Sequence, residues 1–127
     1  MPTKDNFDSL TKEQVGILLA SEVMQWHKEY HQRGSLGDEY WTDPTGGRHH
    51  SAHCYGWKPM EDVAQALELV APLVRRMLPP VGGFTLTRRW HYPGWSWEAG
   101  FGEKSRASGE DPAVAICHAA GLACKLW

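Results

Sequence analysis

Residues 84–101 read Phe84-Thr-Leu-Thr-Arg-Arg-Trp-His-Tyr-Pro-Gly-Trp-Ser-Trp-Glu-Ala-Gly-Phe101. Apolar and polar residues alternate on both sides of Pro93-Gly94, the pattern of two half-buried strands joined by a tight turn, here a type II candidate. One face of the first strand carries Phe84, Leu86, Arg88, Trp90 and Tyr92, and one face of the second carries Trp95, Trp97, Ala99 and Phe101. The stretch therefore predicts an antiparallel hairpin, and the segments around it decide the fold class.

Three helical patterns surround this hairpin. Thr11-Lys-Glu-Gln14 is a capping box and predicts a first helix from Thr11 to Glu29. A second helix begins near Pro59, and Pro72 interrupts it because proline lacks an amide hydrogen. Asp111 as N-cap, followed by Pro112, predicts the last helix.

Another hairpin is predicted between the first two helices. Residues 39–42 form a short strand, 43–47 a turn rich in glycine, and 48–57 a strand that pairs back, whereas 103–110 are expected to be a polar loop. The order is then α-β-β-α-β-β-α. It predicts an α+β fold, a three-layer α/β/α-type sandwich with a small, mainly antiparallel sheet. Residues 1–10 are expected to be a flexible tail and 11–127 a single domain.

Composition narrows the classes of partner. The 127 residues carry a formal net charge of −2, which disfavours an extended nucleic acid as ligand. No apolar stretch approaches the roughly 20 residues of a membrane helix, and no secretion signal is visible, so a cytoplasmic protein without membrane contact is expected. Three cysteines, an odd number, predict free thiols in a reducing compartment.

Several stretches together resemble the phage ABA sandwich domain, a family of small bacteriophage and prophage proteins. They are Leu10-Thr11 opening a helix that ends near Val23-Met-Gln-Trp26, Tyr40-Trp-Thr-Asp-Pro-Thr-Gly46, Glu61-Asp-Val-Ala-Gln-Ala66, Trp97-Glu-Ala-Gly-Phe101 and Ala113-Val-Ala-Ile-Cys-His-Ala-Ala120. The resemblance spans Leu10 to Trp127; Pro72 and the histidine-rich residues 48–54 depart from it. It implies a fold and a phage origin in the cytoplasm of a host cell, and supplies neither an agreed activity nor catalytic residues.

Catalytic and metal-binding patterns are weak. His49, His50, His53 and Cys54 gather four metal-binding side chains in six residues, but their spacing matches no established zinc motif. There is no Gly-x-Ser-x-Gly elbow, phosphate-binding loop or Cys-x-x-Cys pair. We therefore expect no catalytic residue, metal or cofactor. A metal-dependent hydrolase that uses the three histidines stays open as an alternative.

Seven tryptophans are more than the core of so small a domain needs, and Trp26 and Trp127 suit helix packing. The others lie beside arginines and tyrosines in the predicted sheet. Indole rings stack on bases and arginines pair with phosphate, so we expect a ligand site formed by Tyr40, Trp41, Asp43, Arg48, Arg88, Trp90, Tyr92 and Trp95.

These residues favour a non-catalytic, phage-encoded protein that sequesters a small nucleotide-type ligand, such as a host immune signalling molecule, as an anti-defence function. An alternative is an interaction module whose exposed tryptophans bind a host or phage protein. Unpaired sheet edges also favour a homodimer or a higher oligomer.

Overall fold

The computed structural model describes residues 4–33, 36–51, 56–76 and 83–127. These residues form five α-helices and six strands, which confirm the α+β class. The helices are α1 Lys4–Ser9, α2 Lys12–Leu18, α3 Val63–Leu67, α4 Val70–Arg76 and α5 Pro112–Ala123. The strands are β1 His27–Arg33, β2 Leu36–Thr42, β3 Arg48–Ser51, β4 Phe84–His91, β5 Gly94–Phe101 and β6 Ser105–Gly109.

The strands form two antiparallel three-stranded sheets, ordered β1-β2-β3 and β4-β5-β6, where the sequence predicted one small sheet. Each predicted hairpin gains a third strand. Residues 27–29 were predicted to end the first helix, and residues 105–109 to lie in a polar loop. Both segments are polar, yet they form strands, because β1 makes backbone hydrogen bonds to β2 and β6 makes them to β5.

The first long helix ends earlier than its sequence predicts. The capping box is present: the Gln14 amide donates to Thr11 Oγ1 at 3.1 Å, and the Thr11 amide donates to Gln14 Oε1 at 2.9 Å. However, α2 passes at Leu19 into a π-helical turn that ends at Val23. Gln25 then takes a positive φ of 58°, which reverses the chain and starts β1.

The segment before Thr11 also differs from the expected flexible tail. Residues 4–9 form α1, and Phe7 is buried, with its ring stacked on that of His118 at 4.0 Å. Burial of this one aromatic side chain anchors the short helix to α5.

The predicted second helix is two short helices. Asp62 caps α3 by accepting hydrogen bonds from the amides of Ala64 and Gln65. The helix stops at Leu67, and α4 resumes at Val70. Pro72, in the first turn of α4, has no amide to offer the carbonyl of Glu68, so the predicted interruption occurs one turn before the proline.

The last helix and its N-cap are as predicted: the Asp111 carboxylate accepts from the Val114 amide at 3.0 Å. After α5 the chain reverses through Lys125, whose φ is 58°. Trp127 thereby returns to the helix and donates from Nε1 to the His118 carbonyl at 2.9 Å. The core lies where α5 packs against β5 and β6, and Trp26, Trp41, Trp57 and Trp127 are all buried.

Candidate functional site

The β4–β5 hairpin has one continuous face that leaves the core and ends in solvent. Cross-strand partners on this face are Phe84 with Phe101, Leu86 with Ala99, Arg88 with Trp97 and Trp90 with Trp95. Phe101 and Ala99 are buried, whereas Trp90 and Trp95 are 55% and 57% exposed. The turn consists of Tyr92 and Pro93, joined by a cis peptide bond, and Gly94 already belongs to β5, one residue away from the expected turn.

Four side chains stand together at this exposed end, which we call the hairpin end: Arg88, Trp90, Trp95 and Trp97. The indoles of Trp90 and Trp95 lie 5.6 Å apart between ring centroids. The Arg88 guanidinium lies 4.9 Å from the Trp95 ring and 6.0 Å from the Trp97 ring. Tyr92, in the turn, is 93% exposed. An arginine held over indoles combines a cation with large apolar surface.

The sheet around the hairpin end carries an excess of positive charge. Its three strands contain three arginines and one glutamate, Glu98. One carboxylate oxygen of Glu98 lies 3.4 Å from Arg89 Nε and 3.2 Å from Arg106 Nη1. Among the residues that the structure describes, Arg88 pairs with no carboxylate, and its guanidinium contacts the indoles of Trp95 and Trp97. A net-negative protein thus exposes a cationic aromatic surface.

The remaining predicted site residues lie on the other sheet. Trp41 is buried, with Lys28 Nζ 5.4 Å from its ring. Arg48 lies over the Tyr40 ring at 5.0 Å, and Asp43 begins the turn between β2 and β3. The eight predicted residues therefore form two groups on two sheets. The sequence missed Trp97 and Glu98, although Trp97 shares its strand face with Trp95.

Asp43 organises the β2–β3 turn. Its Oδ1 accepts from the Thr45 hydroxyl at 2.6 Å, the Thr45 amide at 2.9 Å and the Gly47 amide at 3.0 Å, and its Oδ2 lies 2.7 Å from His49 Nε2. The hydrogen bond from the Thr45 hydroxyl, then those from His49 and Gly47, hold the pKa of Asp43 well below its ordinary value. This carboxylate is occupied by its own turn and is poorly placed to bind a ligand.

The Asp43→Asn variant is expected to be less stable than the wild type at neutral pH, because asparagine keeps the acceptor oxygen but loses the charge. A carboxyl group with a lowered folded pKa stabilises the fold above its unfolded pKa of about 3.9, and that contribution disappears as the pH falls through the folded pKa. Urea unfolding from pH 5 to pH 2 should show the gap between the two proteins narrowing on acidification. A gap independent of pH would contradict this role. Thr45→Ala removes the hydrogen bond that lowers the pKa of Asp43 most, so it should reproduce part of the loss of stability.

Histidine and tryptophan rings form a second cluster that the sequence did not predict. Trp26 stacks on His49 at 4.5 Å between centroids with 13° between the planes, and meets Trp57 edge-on at 4.9 Å. His50 lies 5.1 Å from the Trp57 ring, and its Nε2 is 2.9 Å from Glu68 Oε2. The Trp57 indole donates to the Gly16 carbonyl at 2.8 Å. These contacts join α2, β3 and the α3–α4 break, so the cluster supports the fold.

The metal-site alternative gains no support from the described side chains. Within residues 4–33, 36–51, 56–76 and 83–127, no group of three histidine, cysteine or acidic side chains could hold a metal ion. His49 and His50 each pair with a carboxylate. His53 and Cys54 lie outside the described residues, so the hydrolase alternative is untested there.

The two described cysteines are free thiols, as predicted. Burial raises the pKa of Cys117 far above its ordinary value. Burial also raises the pKa of Cys124, which the nearby Arg76 guanidinium partly offsets. Raised pKa values keep both sulfurs protonated at neutral pH, and a thiol is a poor nucleophile.

Two cavities are lined by described residues, and neither is lined by Arg88, Trp90, Trp95 or Trp97. One of about 550 Å³ is apolar and lies along α4, lined by Leu67, Val70, Ala71, Val74, Arg75 and Phe84. The other, of about 270 Å³, lies between β6 and α5, lined by Glu98, Arg106, Ala107, Ser108, His118 and Leu122. At the hairpin end the rings of Trp90, Trp95 and Tyr92 are exposed.

Comparison with family models, characterised proteins and solved structures found no match for this chain. Membership of the phage ABA sandwich family therefore stays a prediction from the sequence. None of the helices in the described part of the chain has the length and apolar character needed to cross a bilayer.

Proposed function

We propose that this chain is a non-catalytic binding protein whose hairpin end contacts a partner protein. One observation carries the proposal: Trp90 and Trp95 are more than half exposed, and Arg88, which pairs with no carboxylate among the described residues, lies against Trp95. Tryptophan and arginine are the residue types that most often dominate protein–protein binding energy. A partner that covers them gains apolar contact area and an ion pair at one place.

The form of the surface favours a macromolecule over a small molecule. Small ligands bind in concave pockets that bury most of their surface. Neither cavity described above is lined by Arg88, Trp90, Trp95 or Trp97, and the hairpin end exposes two indoles. A projecting aromatic pair suits the complementary groove of another protein. On the resemblance noted in the sequence, that protein would be a phage or host component in the cytoplasm of a bacterium.

A nucleotide-type ligand is the second candidate, and Arg88 is the observation that favours it. Its guanidinium N–H groups have no carboxylate partner among the described residues, so they can pair with a phosphate while a base stacks on Trp90 or Trp95. In this version the protein sequesters the ligand by affinity alone.

The test compares the wild type with Trp95→Ala as bait in a bacterial lysate, with Tyr30→Ala as the matched control. Tyr30 is also exposed, at 61%, but lies on β1 of the other sheet. A partner that binds at the hairpin end should be lost with Trp95→Ala, since removing such an aromatic costs about 30-fold in affinity, and be kept with Tyr30→Ala. Equal capture by all three proteins would refute the proposal.

Calorimetric titration with cyclic dinucleotides and mononucleotides separates the second candidate from the first. Heat that saturates with the wild type and disappears with Arg88→Ala would establish a nucleotide ligand. No heat of binding from any of these nucleotides at millimolar concentration would rule out the nucleotide candidate.

A further inference from the structure

Strand β4 is an edge strand of its sheet in the described part of the chain. It pairs with β5 along its whole length, from Phe84 opposite Phe101 to His91 opposite Gly94. Of the described helices and strands, only β5 packs extensively against it. An edge strand presents alternate N–H and C=O groups that another extended chain can pair with.

The charges on this edge select the kind of chain that would pair with it. Arg88 and Arg89 follow one another on β4, so one guanidinium points to each face of the sheet, and β4 has no acidic residue. Glu98, on β5, is shared by Arg89 and Arg106 and leaves Arg88 uncompensated. An added strand that places a carboxylate opposite each arginine would complete two cross-strand ion pairs.

A second copy of this chain is a poor occupant. Two β4 strands in parallel register would set Arg88 against Arg88 and Arg89 against Arg89, and antiparallel strands paired about their centre would set Arg88 diagonally beside Arg89, with no acidic residue on either strand. Like charges directly opposite each other destabilise strand pairing. The three other edges of the described sheets are less suited to an acidic chain. Strand β6 is packed by α5, β1 carries Glu29 beside Lys28, and β3 is four residues long with both of its histidines already paired with carboxylates.

We propose that the partner binds through an acidic extended segment that adds a strand to β4. Its carboxylates pair with Arg88 and Arg89. An apolar side chain two positions from the carboxylate that pairs with Arg88 covers Trp90 and Trp95. The backbone pairing supplies affinity, and the arginines and indoles supply selectivity. This inference rests on the proposed function and names the chemistry of the partner at the same site.

A defined peptide tests the inference without knowledge of the natural partner. The probe is acetylated and amidated Thr-Leu-Glu-Glu-Thr-Val-Thr, which in antiparallel register places its two glutamates opposite Arg88 and Arg89 and its leucine opposite Trp90. Affinity is measured by calorimetry, and protection of the β4 amides by hydrogen exchange. We expect binding and new protection of alternate β4 amides. Arg88→Glu should weaken binding about tenfold or more through loss of an ion pair and repulsion.

Two controls separate strand addition from simple charge attraction. Replacing both glutamates by lysine should abolish binding. N-methylation of alternate residues, at odd or at even positions, removes one row of peptide N–H donors while the side chains stay the same. One of these two methylated peptides should lose about tenfold or more in affinity, since it removes the donors that face β4.

Failure of this inference is distinguishable from failure of the proposed function. Equal binding of the parent and both methylated peptides, or no protection of β4 amides, overturns strand addition. Absence of peptide binding, while Trp95→Ala still abolishes partner capture, also overturns it and leaves the hairpin end as a binding surface. If Trp95→Ala captures the partner as well as the wild type does, both the strand-addition inference and the proposed function are overturned.

Discussion

Replacing Gly121 by alanine is expected to lower the free energy of unfolding by about 3–5 kcal/mol, comparable with the loss of a buried tryptophan. A Cβ atom on Gly121 would lie 1.8 Å from a ring carbon of Trp127, far inside van der Waals contact. The indole, which is 2% exposed, would have to leave its place and lose its hydrogen bond to the His118 carbonyl. Guanidinium unfolding monitored by far-ultraviolet circular dichroism measures the change.

The Trp127→Ala background supplies the sharpest control. Alanine favours a helix interior over glycine by about 1 kcal/mol, so Gly121→Ala should be neutral or stabilising once the indole is absent. Gly94→Ala is the matched glycine control, because a Cβ there meets nothing within 4 Å. Equal destabilisation by Gly121→Ala with and without Trp127 would show that the ring contact is not the cause.

The second large effect is expected at Trp26. Trp26→Ala should destabilise the protein by about 3–5 kcal/mol, because its ring is 5% exposed and contacts the rings of His49, His50 and Trp57. Trp90→Ala removes the same side chain from the hairpin end and should cost below about 1 kcal/mol. The pair separates a tryptophan that holds the fold from one that is available to a partner.

Denaturant midpoints and slopes of both variants, together with iodide quenching of tryptophan fluorescence, check this assignment. Trp26→Ala should lower the midpoint and leave the quenchable fraction of the emission nearly unchanged, whereas Trp90→Ala should lower that fraction. A large loss of stability in Trp90→Ala would mean that the hairpin end is covered within the protein, and would remove the basis of the proposed function.

The candidate site was partly predictable. Alternation along residues 84–101 correctly placed Arg88, Trp90 and Trp95 on one strand face, since side chains on a strand point to opposite faces in turn. Alternation does not say where along the strand the core ends. That boundary depends on how far α5 extends over β5 and β6, so the sequence could not show that Ala99 is buried whereas Trp95, on the same strand face, is exposed.

Short sequence motifs correctly predicted where two helices begin. Asp111 and Pro112 begin α5, and the Thr11 capping box begins α2, because these devices act within one helical turn. The end of α2 was not predicted. Helical periodicity continues from Val23 to Trp26, but Gln25 reverses the chain, and Trp26 gains more by packing on Trp57 and His49 than by extending the helix.

The sequence by itself determined the α+β class, the β4–β5 hairpin with its common face, and the caps that begin α2 and α5. Only the tertiary structure decided that the strands form two sheets and that α1 is anchored by Phe7. It also decided that, among the described residues, Glu98 is shared by two other arginines and Arg88 has no carboxylate partner. The physical reason is the distance along the chain over which each kind of interaction acts. Caps and alternation act over a few residues, whereas burial, sheet edges and charge compensation depend on segments that are distant along the chain.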